Sequence, residues 1–178
     1  MIIDPNTNAA AYGGYTVTNL REAGGEETLR FDAFLCLHGT KILYVYNAGT
    51  GGSHVYQPVN EDWAGFRGVE AAFEAYAAEW NEGTEFGGIE DGDQLINRLV
   101  EVATLNRMRK VPFVLDDEDF WRSGECHQFQ QAVSREQVAA VLSGPAYSHR
   151  NPRVWDKCTG DFVPVAQIVT DPIYEEGQ

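Results

Sequence analysis

Residues able to do chemistry are few in this chain and are not spaced for it. The soft ligands and candidate nucleophiles are Cys36, Cys126 and Cys158, with His38, His54, His127 and His149. Cys36-x-His38 puts both side chains on one face of an extended segment, within reach of a single ion. Neither it nor Cys126-His127 has the C-x-x-C or H-x-x-x-H spacing of a zinc site, so no metal and no cofactor are expected. A Cys–His catalytic pair is assembled in space from distant segments, and neighbours along a strand point to opposite faces. No nucleophile motif surrounds Cys126, and no Gly-x-Ser-x-Gly elbow occurs. No catalytic residue is assigned, and the chain leans away from being an enzyme.

Two further segments offer oxygen or backbone ligands. Asp116, Asp117, Glu118 and Asp119 form an acidic run able to hold Mg²⁺ or Ca²⁺. The run lacks the alternating carboxylates of an EF-hand loop and is read as an acidic, solvated surface. Between Asn47 and His54, glycines at 49, 51 and 52 leave a backbone that can approach a phosphate or a partner closely. It is neither a Walker loop nor a dinucleotide fingerprint. Two readings stay open. The loop is a tight structural turn, or it is a contact surface where Asn47, Gly49, Gly51, Gly52, His54 and Tyr56 bind a ligand or partner. In the second case Tyr44, Tyr46 and Tyr56 would supply stacking faces.

The elements that position these residues follow from periodicity. Leu29, Phe31, Ala33, Leu35 and Leu37 alternate with Arg30, Asp32, Phe34, Cys36 and His38, a period of two that predicts a half-buried strand. His38-Gly39 supplies the turn, and Lys41 to Tyr46 resumes with β-branched and aromatic residues. An antiparallel hairpin over 28–46 is expected. Asp62 to Trp80 predicts a helix capped by Asp62, with Trp63, Phe66, Val69, Phe73, Tyr76 and Trp80 as an apolar stripe packed in the core. Asp91 or Asp93 opens a second helix through Arg109, and Arg107-x-Arg109-Lys110 complements its C-terminal dipole. Val111 to Leu115 reads as a short strand, with Cys126 to Gln131 as its partner. Ser134 to Gln137 is a capping box opening a short helix, which Gly144-Pro145 stops. Residues 1–27 are an N-terminal extension or edge strand. Residues 143–178 are an irregular C-terminal segment with one extended stretch, Phe162 to Val169. The expected fold is α+β: one domain over 1–178, with a small antiparallel sheet packed by two or three helices.

Several of these residues also form a pattern. Phe31-x-Ala33-x-Leu35, Gly39-x-Lys41, Asn47-x-Gly49-x-Gly51-Gly52 and Tyr56, followed by Phe73-Glu74-Ala75-Tyr76, resemble a family of small uncharacterised phage, prophage and plasmid proteins. Arg107 to Leu115 and Ser134 to Leu142 fit that family's C-terminal order loosely. The resemblance spans about residues 28 to 142. It implies a mobile-element context and carries no settled activity.

Composition bounds the function. The chain has 178 residues, 43% hydrophobic and 12% aromatic, enough to fill a core. Its net charge of −14 opposes direct binding to nucleic acid or to anionic membranes. The start, MIIDPNTNAAAYGG, lacks a basic and apolar leader, and no run of apolar residues could span a bilayer. With three scattered cysteines, a reduced cytoplasmic protein is expected, in the host cytoplasm if phage-encoded. The expected function is an accessory protein that binds and inhibits a host protein. In its sharper form it is a DNA mimic that blocks a nucleic-acid-handling enzyme of a restriction or CRISPR type. The alternative is a small-ligand or nucleotide binder using the loop 47–54, and the third is an enzyme of unknown type.

Overall fold

The computed structural model describes residues 11–169. The fold is α+β, with two antiparallel sheets rather than the one expected. The chain divides between Thr104 and Leu105 into two compact units.

The first unit is built on a four-stranded meander, β1 (Tyr15–Ala23), β2 (Arg30–Leu37), β3 (Thr40–Asn47) and β4 (Val55–Pro58), in that spatial order. Tyr15–Ala23 is therefore an edge strand. The β2–β3 turn has both central residues at positive φ, His38 at 48° and Gly39 at 79°, the geometry that matches the twist of a hairpin. One face carries Phe31, Ala33, Leu35, Leu43 and Val45, all buried. Against it lie α1 (Trp63–Asn81) and α2 (Asp91–Arg107). Phe73 of α1 meets Tyr15 at 5.4 Å and Tyr56 at 6.0 Å between ring centroids, and Leu95, Ile96 and Leu99 of α2 are buried. Asp62 caps α1 as its position implies, accepting from the Gly65 N–H at 3.1 Å.

The aromatic stripe on α1 is only partly core, which corrects the sequence expectation. Burial on α1 is confined to its second half, at Phe73, Ala77 and Asn81, while Trp63 is 62% exposed and stacks edge-on against Phe66. A helix of 19 residues runs about 28 Å, and it meets the sheet at β3, at the four-residue β4 and, through Phe73 on Tyr15, at β1. Helical spacing marked the stripe; the extent of the sheet set how much of it is covered.

The second unit contains β5 (Phe113–Val114), β6 (Arg153–Asp156) and β7 (Asp161–Pro164), paired in that order, with α3 (Phe120–Ser123), α4 (Arg135–Leu142) and α5 (Val165–Val169). Its core is Phe113, Leu115, Val138, Ala139, Leu142, Val154 and Ile168. The capping box at Ser134 and Gln137 is present in full. Three expectations are corrected here. Residues 143–178 are not irregular over their described part, since they supply two of three strands. The stretch from Phe162 is not extended throughout, because α5 begins at Val165. Cys126 to Gln131 contributes only a single bridge, Phe113 to His127, so the real partner of β5 is β6. A two-residue strand carries no periodicity, and its partner lies about forty residues along the chain.

Candidate functional site

The glycine loop joins β3 to β4, and its Asn47, Ser53 and His54 side chains are hydrogen-bonded within the unit. Asn47 is 5% exposed. Its Oδ1 accepts from the Gly49 N–H at 2.8 Å and the Thr28 hydroxyl at 3.2 Å, while its Nδ2 donates to the Gly52 carbonyl at 3.2 Å. Nδ2 also lies 3.0 Å from His54 Nδ1, so that nitrogen accepts and the proton sits on Nε2, 3.0 Å from Asn97 Oδ1. Gly49 lies at φ 79°, and its carbonyl accepts from the N–H groups of Glu26, Glu27 and Thr28. A Cβ at Gly49 would stand 2.7 Å from Gly25 Cα. Close approach of two backbone segments is what this glycine permits.

From the loop the chain is tied to the start of α2. The His54 N–H donates to Asp93 Oδ2 and the Tyr56 phenol to Asp93 Oδ1, both at 2.7 Å. Ser53 donates to Glu90 at 2.9 Å. Burial, followed by the hydrogen bond to Asp93, pushes the Tyr56 hydroxyl far above its ordinary range, so it remains a donor. Glu74 of α1 faces the same turn. Burial and then the Asp93 charge raise its carboxyl, opposed by the Gly92 N–H. Of the residues assigned from sequence, Asn47, Gly49, Gly52, His54 and Tyr56 are thus gathered into one network, and Gly51, at φ 79°, lies within the same turn.

The three tyrosines do not form one stacking surface. Tyr56 pairs with Val45 and points with it to the helix side, while Tyr44 and Tyr46 point the other way. This outer face presents Phe34, Tyr44 and Tyr46 in a row, with centroid spacings of 5.4 Å and 6.0 Å. Lys41 Nζ sits 4.1 Å above the Phe34 ring, and Arg21 pairs with Asp32 at 2.7 Å. A cavity of about 370 Å³ opens here, lined among others by Arg21, Arg30, Asp32, Tyr44 and Tyr46. The alternation Arg30-x-Asp32-x-Phe34 was the available signal for this face. Only the cross-strand register brings Tyr44 opposite Phe34 and Tyr46 opposite Asp32.

Charge is segregated within the first unit. Residues 59–104 hold eleven acids and two arginines. Glu79, Glu82, Glu85 and Glu90 are exposed, and Glu70, Glu74, Asp91 and Asp93 are half-buried. A hollow of about 480 Å³ beside them is lined by Glu79, Glu82, Thr84 and Asp91 among others.

The acidic run of the second unit is largely engaged in holding its own loop. Asp116 forms a forked pair with Arg150, which holds its carboxyl below the usual range. Glu118 accepts from the Leu115 N–H at 2.8 Å and lies 3.0 Å from His127 Nε2, and both interactions lower its carboxyl. Asp119 caps α3 through the Trp121 N–H. Asp117 is exposed beside them. The cysteines are free, and burial raises the Cys126 thiol, which disfavours the thiolate a nucleophile needs. Among the described residues no group of three or more His, Cys, Asp or Glu side chains is arranged to hold a metal ion, and no helix is long and apolar enough to cross a membrane. No protein-family model, curated protein or solved structure matches the chain.

Proposed function

We propose that this protein acts by binding, presenting the acidic helical layer of its first unit to a basic surface on a partner protein. The observation that carries the reading is the charge segregation: eleven acids against two arginines over residues 59–104, in a chain of net charge −14. Carboxylates at that density attract a cleft built for phosphates, steer its approach and oppose binding to nucleic acid itself. The partner class this favours is a host protein that handles nucleic acid, with the acidic layer occupying its cleft as an inhibitor. The likeness of residues 28–142 to small phage, prophage and plasmid proteins supplies the mobile-element setting.

The test is capture of partners from bacterial lysate at low and high salt, repeated with Glu79→Gln, Glu82→Gln and Glu85→Gln combined. A nucleic-acid-handling partner that is lost at high salt, and lost again in the triple variant, supports the reading. Partner binding unchanged by both salt and neutralisation overturns it. A second reading, sequestration of a small ligand, moves from the glycine loop to the outer sheet face, because the Asn47 and His54 side chains are already hydrogen-bonded within the loop, to Thr28 and to Asn97 of α2.

A further inference from the structure

We infer that the outer face of the four-stranded sheet is a nucleotide site, taking one nucleoside phosphate with its base against Tyr44 and Tyr46 and its phosphate at Arg30 and Arg21. The register of β1, β2 and β3 sets Arg21 opposite Asp32, Asp32 opposite Tyr46 and Phe34 opposite Tyr44, so these side chains share one face. Arg30, two residues from Asp32 along β2, joins them. Aromatic rings in a row across neighbouring strands are a sequence-tolerant platform for bases, because every base has a π face.

Charge complementarity names the other half of the ligand. All three Lys and Arg residues between positions 11 and 58, Arg21, Arg30 and Lys41, belong to this face or its end. Of the four acids in that span, Asp32 shares the face and Glu22 lines the cavity, its carboxylate accepting from the Thr104 hydroxyl, while Glu26 and Glu27 lie in the connection between β1 and β2. The cavity therefore sets two arginines, Arg21 and Arg30, beside two acids, Glu22 and Asp32, in a strongly anionic chain. Arg21 is partly neutralised by Asp32. Arg30 is exposed and its side chain makes no hydrogen bond or ion pair among the described residues, so its guanidinium is available for the forked contact that phosphates favour.

Size and overall charge favour a single nucleotide over a strand. The cavity of about 370 Å³ lies within the range of small-molecule sites. A polyanion approaching a chain of net charge −14 is repelled along its whole length, whereas one nucleotide brings few charges to the local arginine pair. This site is independent of the acidic helical layer.

Titration calorimetry tests it with adenosine 5′-monophosphate, uridine 5′-monophosphate, adenosine, inorganic phosphate and an oligothymidylate. Both mononucleotides should bind, and more tightly than adenosine or phosphate. Arg30→Gln should weaken binding roughly tenfold, as expected for losing a charge-assisted contact. Tyr46→Ala should weaken it by roughly tenfold or more through lost stacking, while Tyr46→Phe, which keeps the ring and the fold, should retain it. The triple neutralisation of Glu79, Glu82 and Glu85 should leave nucleotide binding intact. The inference is overturned by absence of binding at millimolar mononucleotide, by equal binding in wild type, Arg30→Gln and Tyr46→Ala, or by tighter binding of the oligothymidylate than of the mononucleotides.

Discussion

The phenol of Tyr56 on β4 donates to Asp93 Oδ1 at 2.7 Å, while the other oxygen of that carboxylate takes the His54 N–H at the same distance. One side chain of the first α2 turn thereby fixes both the start of β4 and the end of the glycine loop. Tyr56 is half-buried against Phe73, so the bond also orients the ring that closes the core there. Replacing Tyr56 by Phe keeps the packing and removes the donor. A loss of about 1–3 kcal/mol is expected for leaving a partly buried carboxylate short of a partner, read from urea unfolding at constant m-value.

Gly49 should tolerate no side chain. Its φ of 79° strains any other residue, and a Cβ there would meet the Gly25 Cα at 2.7 Å, a clash of backbone against backbone. Gly49→Ala is expected to cost about 1–3 kcal/mol and to lower the melting temperature. Unchanged melting would mean that the three N–H bonds to the Gly49 carbonyl do not hold the turn.

Glu74 gives a pH signature. Its carboxyl is raised in the fold by burial and by Asp93, so the folded state holds that proton where the unfolded chain has released it. The unfolded state binds fewer protons in that window, and stability therefore falls as pH rises from the ordinary glutamate value of about 4.3 through the raised folded value. Glu74→Gln should flatten this part of the profile and raise the urea midpoint at neutral pH, since the amide oxygen can still accept from Gly92. A steeper profile in the variant contradicts the assignment.

Asp116 and Glu118 act in the opposite sense. Arg150 for the first, and the Leu115 N–H with His127 for the second, hold both carboxyls low, so their contribution is present above the ordinary carboxylate range and is lost as pH falls through the lowered values. Arg150→Gln should weaken the acid limb of the stability profile for the second unit, with near-ultraviolet circular dichroism of Trp121 and Trp155 as the readout. The effect should be modest, because the Asp116–Arg150 pair is solvent-exposed.

In the second unit, Arg135 Nη1 lies 2.6 Å from Asp156 Oδ1, and that carboxylate, on a side chain 13% exposed, also takes the Cys158 N–H at 3.0 Å. Arg135→Ala strands a largely buried charge at the β6–β7 turn. A loss of about 1–3 kcal/mol is expected in thermal unfolding, with Arg135→Lys recovering part of it.

Elements with strong local signals were legible. The hairpin follows from a period of two and a turn whose residues accept positive φ, and α1 from Asp62 and a helical stripe. The α4 capping box was equally plain at Ser134 and Gln137. The second sheet was not legible, because β5 has two residues and β6 and β7 four each, too short for a pattern, and β5 finds its partner β6 about forty residues along the chain. The site residues were partly legible. Glycines marked a special turn, yet nothing in their spacing told a turn closed by Asn47 from one open to a ligand.

By itself the sequence determined the α+β class, the hairpin, the first helix and its cap, and the acidity, since each rests on composition or on near-neighbour periodicity. Tertiary structure decided what those residues face. Strand register sent Tyr56 to the core and Tyr44 and Tyr46 to the outer face. Helix packing left Trp63 uncovered and gathered the acids of residues 59–104 on one layer. Long-range pairing with β5 joined the C-terminal β6–β7 hairpin into a sheet. These are relations between segments far apart in the chain, fixed by cross-strand pairing and shared burial, and no local pattern encodes them.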